Sequence, residues 1–243
     1  MKGKALVVAI AALAGALLTG RLGWWQLDRA AQKGTLVQAR EQRGAMPPLG
    51  GADLARNAAA IPAQLHRSVR LQGRWLSAHT VYLENRQMLN QPGFYVVTPL
   101  ALDTGGDVLV ERGWIPRDLL DRTRIVAPPP PPGHVQVNGR VAARPERLYE
   151  FKGAAPGPIR QNLEIASFAL ETGLPLLPIS VVQLDGPGYP PDGLLRQWPQ
   201  PDDGLQTNYG YAFQWFAMCA LIIGLYVWFQ LIAPRRTAHA QPS

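Results

Sequence analysis

Two stretches of this chain are apolar on every helical face, and between them the hydrophobic positions alternate. Tyr211 to Ile232 (YAFQWFAMCALIIGLYVWFQLI) carry no charged side chain over 22 residues. At about 1.5 Å of rise per residue that run is about 33 Å long, enough to cross a hydrocarbon core about 30 Å thick. A helix that is apolar all round belongs in a large core or in a bilayer. The second stretch, Ala5 to Gly20, is interrupted by Arg21 and resumes as LGWWQL to Leu27. Arg21 can extend its stem and set its guanidinium among headgroups, so 5–27 reads as one span with Trp24 and Trp25 at the interface. A charged start followed by an apolar stretch also fits a cleaved secretory signal, but no clear Ala-x-Ala site follows, which favours a retained anchor.

Between the spans the period changes. Asp28 to Arg43 lacks proline and reads as a helical continuation despite Gly34, and GAMPPLGGAD at 44–53 breaks it. A short helix is expected around Leu54 to Ala60. From Ser68 the pattern has period two: SVRLQGRWL, TVYLENR, GFYVVTPLAL, DVLVERGWI and HVQVNGRVAAR are strands punctuated by Gly, Asn and Asp. Thr104-Gly105-Gly106-Asp107 reads as a hairpin turn. The five prolines at 128–132 form a stiff connector, since none can donate to a ladder. Asn162 to Thr172 has helical spacing, with Leu163, Phe168 and Leu170 apolar and Gly173 as the stop. ISVVQL at 179–184 is a last strand, and 185–203 is too rich in Gly and Pro for a regular element. The expected fold is a membrane protein: two transmembrane α-helices flanking an extracytoplasmic β-rich α+β domain, an antiparallel sheet or small barrel.

Charge orients that plan. Of 24 Lys and Arg, four (Lys2, Lys4, Arg235, Arg236) lie outside the spans at the tips and Arg21 lies within the first span, so the middle is nearly balanced against 17 acids. Basic tips read as cytoplasmic. Residues 1–4 are then an inner tip, 5–27 a span, 28–208 an outer domain, 209–232 a span and 233–243 an inner tail. In a bacterium the outer face of the inner membrane is the periplasm. The basic pI reports topology, and no basic-aromatic interleaving points to nucleic acid. The one cysteine, Cys219, lies in the second span, which excludes CxxC redox chemistry and zinc ribbons within this chain. There is no GxSxG, HExxH or phosphate-cradling loop, and the four histidines are scattered. Asp202, Asp203, Glu146 and Glu150 read as surface charges.

Several segments, in order, resemble the Surfeit locus (Surf/Shy) family of cytochrome c oxidase assembly proteins. Leu22-Gly23-Trp24-Trp25-Gln26-Leu27 with Arg29 and Lys33 is similar to LGxWQLxRxxxK; Gly93 to Leu100 (GFYVVTPL) and Val110 to Arg117 (VERGWIPR) resemble the mid-domain motifs. Arg196-Gln197-Trp198-Pro199 and Gly210 to Phe216 (GYAFQWF) look like the lead into the second span. The resemblance implies an assembly factor, not an enzyme, that assists haem a insertion into catalytic subunit I or stabilises that subunit, alongside other oxidase assembly factors. It implies partner contacts at Gly23, Trp24, Trp25, Gln26, Arg29, Arg112, Gly113, Trp114, Gln214 and Trp215. Gly23 thins a helix for close approach, Gly113 permits a bulge or close backbone approach, and strand alternation puts Arg112 and Trp114 on one face. The family's histidine before the second span, implicated in haem a binding, is Asn208 here. Asn is a poor iron ligand, which leaves Tyr209, Tyr211 or Met218 as substitutes in a haem a neighbourhood, or weak haem binding. Rival readings are a structural envelope or secretion accessory protein and a membrane-tethered periplasmic enzyme.

Overall fold

The computed structural model describes residues 2–118, 120–121, 123–149, 157–186, 192–199 and 204–233. Glu150, Asp202, Asp203 and the basic pair at 235–236 lie outside the described residues. In chain order the elements are α1 (Lys2–Gly44), α2 (Ile61–Gln64), β1 (Ser68–Trp75), β2 (Val81–Met88), β3 (Gln91–Leu102), β4 (Asp107–Pro116), β5 (His134–Ala142), β6 (Ile159–Arg160), α3 (Ile165–Thr172), β7 (Leu176–Gln183) and α4 (Leu205–Tyr226). They form two compact units, one of residues 1–38 with 200–243 and one of residues 39–199. Hydropathy puts the domain edges at 28 and 208. The packing divides the chain at 38/39 and 199/200, because the polar end of α1 is still helix.

In the first unit α1 and α4 are both long and apolar enough to cross a membrane. α1 runs unbroken through Gly34 to Gly44, and α4 continues from Val227 to Ile232 in a wider, π-type turn. Their contacts pair rising numbers on α4 with falling numbers on α1: Phe216 at Gly23, Cys219 at Gly20, Ile222 at Gly15. The two helices are therefore antiparallel.

The second unit is a closed ring of strands. The order β1-β5-β7-β4-β3 returns from β3 to β1, with β2 and then β6 attached to the free part of β3. β3 serves two neighbours on one edge: Leu100 to Leu102 pair with β1, and residues from Gln91 to Val97 pair with β2. The expectation of a small barrel is met. The sheet is not purely antiparallel, since β7 joins β4 in parallel and β6 joins β2 in parallel. A parallel pair needs a crossover, and the long excursion from β4 through β5 and α3 supplies it.

Strand alternation sorts the core in two. Leu71, Leu100, Val108, Val110, Val137 and Val181, from all five ring strands, form one cluster. Val81, Leu83, Tyr95, Leu109, Trp114 and Val182 face the other way and are covered by Phe168 of α3 and by Trp198. α3 starts at Ile165, with Glu164 as its N-cap and Gly173 left-handed at its end. Leu163 therefore packs from extended chain, and Leu170 is 87% exposed, contrary to the helical face expected from the sequence. The short helix expected at 54–60 lies later, as a 3-10 turn at Ala58–Ala60 running into α2. Leu54 and Ala55 are buried instead, pinned by Gln64, whose amide donates to Asp53 O and accepts from Ala55 N. Residues 128–132 form no regular element.

Candidate functional site

The motif residues come together at two places, one in each unit. In the helix pair, small residues on α1 make the seam. A methyl group added at Gly23 would meet the Phe216 ring at 2.9 Å, and one at Gly15 would meet Ile222 at 3.4 Å. Thr19 is buried and returns its hydroxyl to Gly15 O at 2.8 Å, and Cys219 Sγ donates to Ala16 O at 3.3 Å. Close backbone approach through Gly, Ala and Thr is the usual way apolar helices pack where no hydrophobic force drives them together. Gln26 and Asn208 close one end of this seam: Asn208 Nδ2 donates to Gln26 Oε1 at 2.6 Å.

The remaining predicted residues of this unit face outward. Trp24, Trp25, Arg29, Tyr209, Tyr211, Gln214 and Met218 are exposed, and Trp215 is half-buried. Among the described residues the Gln214 side chain has no hydrogen-bond partner, so α1 does not satisfy its amide. The haem a neighbourhood is not assembled either. Tyr209 and Tyr211 sit about 200° apart around the helix, and Met218 shares the side of Tyr211 but lies about 10 Å further along. Asn208 gives its nitrogen to Gln26, and its buried Oδ1 has no partner. Tyr209, Tyr211 and Met218 are thus not gathered at one point by this helix.

The second place is the bulge in β4. Val96 pairs with Gly113 and Val97 with Glu111, so Arg112 has no partner across the ladder. The glycine reading is borne out: a Cβ on Gly113 would lie 2.6 Å from Leu194 Cβ and 3.0 Å from Leu195 O. The same bulge overturns the shared face of Arg112 and Trp114. Leu109 and Trp114 are five residues apart yet share a cluster, which an uninterrupted alternation forbids. Arg112 points the other way, over the Trp75 ring at 5.3 Å, with Nη2 3.6 Å from Asp192. Arg112 and Trp114 are each 1% exposed. Both are spent inside the domain and present no surface in this arrangement.

What they hold is the segment 192–199. Trp114 N donates to Leu195 O at 2.7 Å and Leu195 N returns to Trp114 O at 3.0 Å. Arg196 Nε donates to Arg112 O at 2.6 Å, while its Nη atoms reach Asp185 and Asp192. Trp198 Nε1 donates to Gln183 O at 2.7 Å and meets the Tyr95 ring edge-on at 5.0 Å. Gly93 lets the Trp114 ring through, since a Cβ there would lie 2.4 Å from it. Three motif segments thus lock one loop onto the sheet.

Beside this lock is a polar cluster that the sequence reading passed over. Glu111 is 3% exposed and accepts from Ser180 Oγ at 3.3 Å. Burial pushes its carboxyl up to about 8, against the opposing pull of Ser180 and Arg86. Burial also raises the Tyr95 phenol, helped by the Glu146 carboxylate that accepts its hydroxyl. Buried Arg86 lies over the Tyr95 ring at 5.6 Å and donates to Glu146 O and Gln161 O. Burial lowers the Arg86 and Arg112 guanidinium values without discharging them. The signal was present: Glu111 falls in step with Leu109 in an apolar alternation, where a solvated charge has no place.

The model of the SURF1 family matches residues 13–220, through most of both apolar helices and the whole barrel. The chain belongs to the SURF1 family. A SURF1-like protein of Rickettsia bellii (strain RML369-C) is 30% identical over 95 residues, 38% of this chain and 37% of that protein. A SURF1-like protein of Rickettsia felis (strain ATCC VR-1525 / URRWXCal2) is 28% identical over 95 residues, 38% of this chain and 39% of that protein. The chain thus spans well under half the length of the curated relatives it matches.

Proposed function

We propose that this protein is a two-span inner-membrane assembly factor for a haem-copper cytochrome c oxidase, acting on catalytic subunit I. Both termini lie in the cytoplasm and the barrel lies in the periplasm, as the basic tips require. Its work is binding and positioning, not bond-making, and subunit I and other oxidase assembly factors are its partners. The observation that carries this reading is the family match running through helices and barrel alike. The outward belt of Trp24, Trp25, Arg29, Gln214 and Trp215 supports it, because Gln214 in a bilayer needs a hydrogen-bonding neighbour from another chain.

Haem a is held on the oxidase side of such a complex, since residue 208 is an amide engaged with Gln26. Deleting the gene is expected to lower oxidase activity, haem a content and subunit I abundance together. Unchanged levels of all three, or co-purification with envelope components in place of subunit I, refute the assembly role. The haem part has its own test. The purified protein is expected to show little haem a absorption and an Asn208→His variant more; a strong, equal spectrum in both refutes it.

A further inference from the structure

We propose that the cleft between Tyr95, Glu111 and Trp198, rimmed by Arg140 and Arg144, binds a small organic carboxylate with a flat apolar body. The cleft lies wholly within the barrel unit and holds about 260 Å³. That is just under the range of about 300–1,000 Å³ usual for ligand pockets, so it takes a small acid and not a macrocycle. Its walls are the Trp198 indole and aliphatic groups of β5 and β7, which suit an apolar body.

The polar groups set the charge of the ligand. From every element packed around Glu111, the charged or titratable groups are Arg86 of β2, Tyr95 of β3, Arg140 of β5, and Arg144 and Glu146 after β5; β7 contributes the neutral Ser180. With Glu111 neutral, three guanidinium groups face one carboxylate. Arg86 is committed to backbone carbonyls, whereas the guanidinium groups of Arg140 and Arg144 make no hydrogen bond or ion pair among the described residues. Two planar forks that line an apolar-walled cleft, without a partner among the described residues, match a carboxylate, which each can grip through two N–H groups. Glu111 adds a second element. Its carboxyl stays protonated near neutrality because burial raises it to about 8. A protonated carboxyl can donate a hydrogen bond to an anion, and an ionised one repels it. Binding is therefore tight below pH 8 and weakens as pH rises through it.

The test uses the full chain in detergent micelles, with sodium benzoate as the probe and titration calorimetry as the readout. Benzoate is expected to bind saturably at pH 7. The Arg140→Ala/Arg144→Ala variant, checked for native circular dichroism, is expected to bind it about tenfold more weakly or worse. Between pH 7 and 9 the native protein loses affinity, and Glu111→Gln, which keeps the shape and cannot ionise, does not. Absence of saturable binding overturns the proposal, as does benzamide binding as tightly as benzoate. Inorganic phosphate displacing benzoate at equal concentration also overturns it, because the site then reads charge alone. So does an identical pH profile in Glu111→Gln.

Discussion

Replacing Gly113 by alanine puts a methyl group where the sheet meets the segment 192–199. The new carbon would lie 2.6 Å from Leu194 Cβ and 3.0 Å from Leu195 O. Carbon contacts are comfortable at about 3.5–4.0 Å, so one partner must retreat by about 1 Å. Neither is the end of a flexible side chain, and Leu195 is bridged to Trp114 by two backbone hydrogen bonds. Overpacking of a tight site costs about 1–3 kcal/mol. Loosening the two bridge bonds adds about 0.5–1.5 kcal/mol each. The expected loss is about 2–6 kcal/mol, with the clasp of Arg196 on Arg112 O and Asp192 loosened as well. Urea unfolding of the full chain in micelles, followed by near-UV circular dichroism, measures it. Amide exchange at Trp114 and Leu195 should accelerate first. An unchanged midpoint with both amides still protected would show that the segment is not held by that approach, and would refute the locking role given to the bulge.

Glu111 makes stability depend on pH. Below the ordinary carboxylate value of 4.5 the group is protonated folded or unfolded; from there to about 8 the unfolded chain sheds the proton first. Stability therefore falls over that window, by at most about 1.4 kcal/mol per pH unit, and levels off above it. Glu111→Gln should flatten the decline in urea midpoints taken from pH 5 to 9; equal slopes in both proteins would contradict the buried neutral carboxyl. In the helix pair, Gly20→Cys should form an internal disulfide with Cys219 on mild oxidation, since a Cβ there would lie 3.8 Å from the Cys219 sulfur. Adding Gly23→Leu, which drives a side chain into the Phe216 ring, should lower the yield several-fold. An undiminished yield would mean that the seam does not depend on the glycine.

Much of this fold can be read from the residues, and the failures have causes. The apolar runs mark both long helices, since nothing competes with that pattern. The period-two segments mark β1 to β5 because Gly, Asn and Asp separate them. β6 has two residues and no pattern to detect. Parallel pairing of β7 with β4 is set by contacts between residues some 70 positions apart, beyond any local signal. Leu170 faces solvent despite its helical spacing from Leu163, because α3 starts only at Ile165. At the bulge, one glycine showed where the backbone closes in, but the register shift it brings reversed the expected relation of Arg112 to Trp114. Glu146 reads as a solvated charge, yet its carbonyl, amide and carboxylate are tied to Arg86, Glu111 and Tyr95. Chain order alone cannot reveal such a gathering.

The margins of the sheet also limit how another protein can join it. One side of β1 is occupied by chain near Leu49, whose amide and carbonyl bond to Ser68 O and Arg70 N. β2 is covered at Tyr82 and Leu83 by Ile159 and Arg160, and Arg160 is fastened to Gly157 O and the Glu171 carboxylate. The open edge is thereby confined to the end of β2 from Glu84 to Met88, a short run for an incoming strand to zip along. On the proposed assembly role, a client would be recognised by side chains, on the barrel wall or along the helices. Such a grip could be released without unravelling either protein, as the proposed assembly role requires.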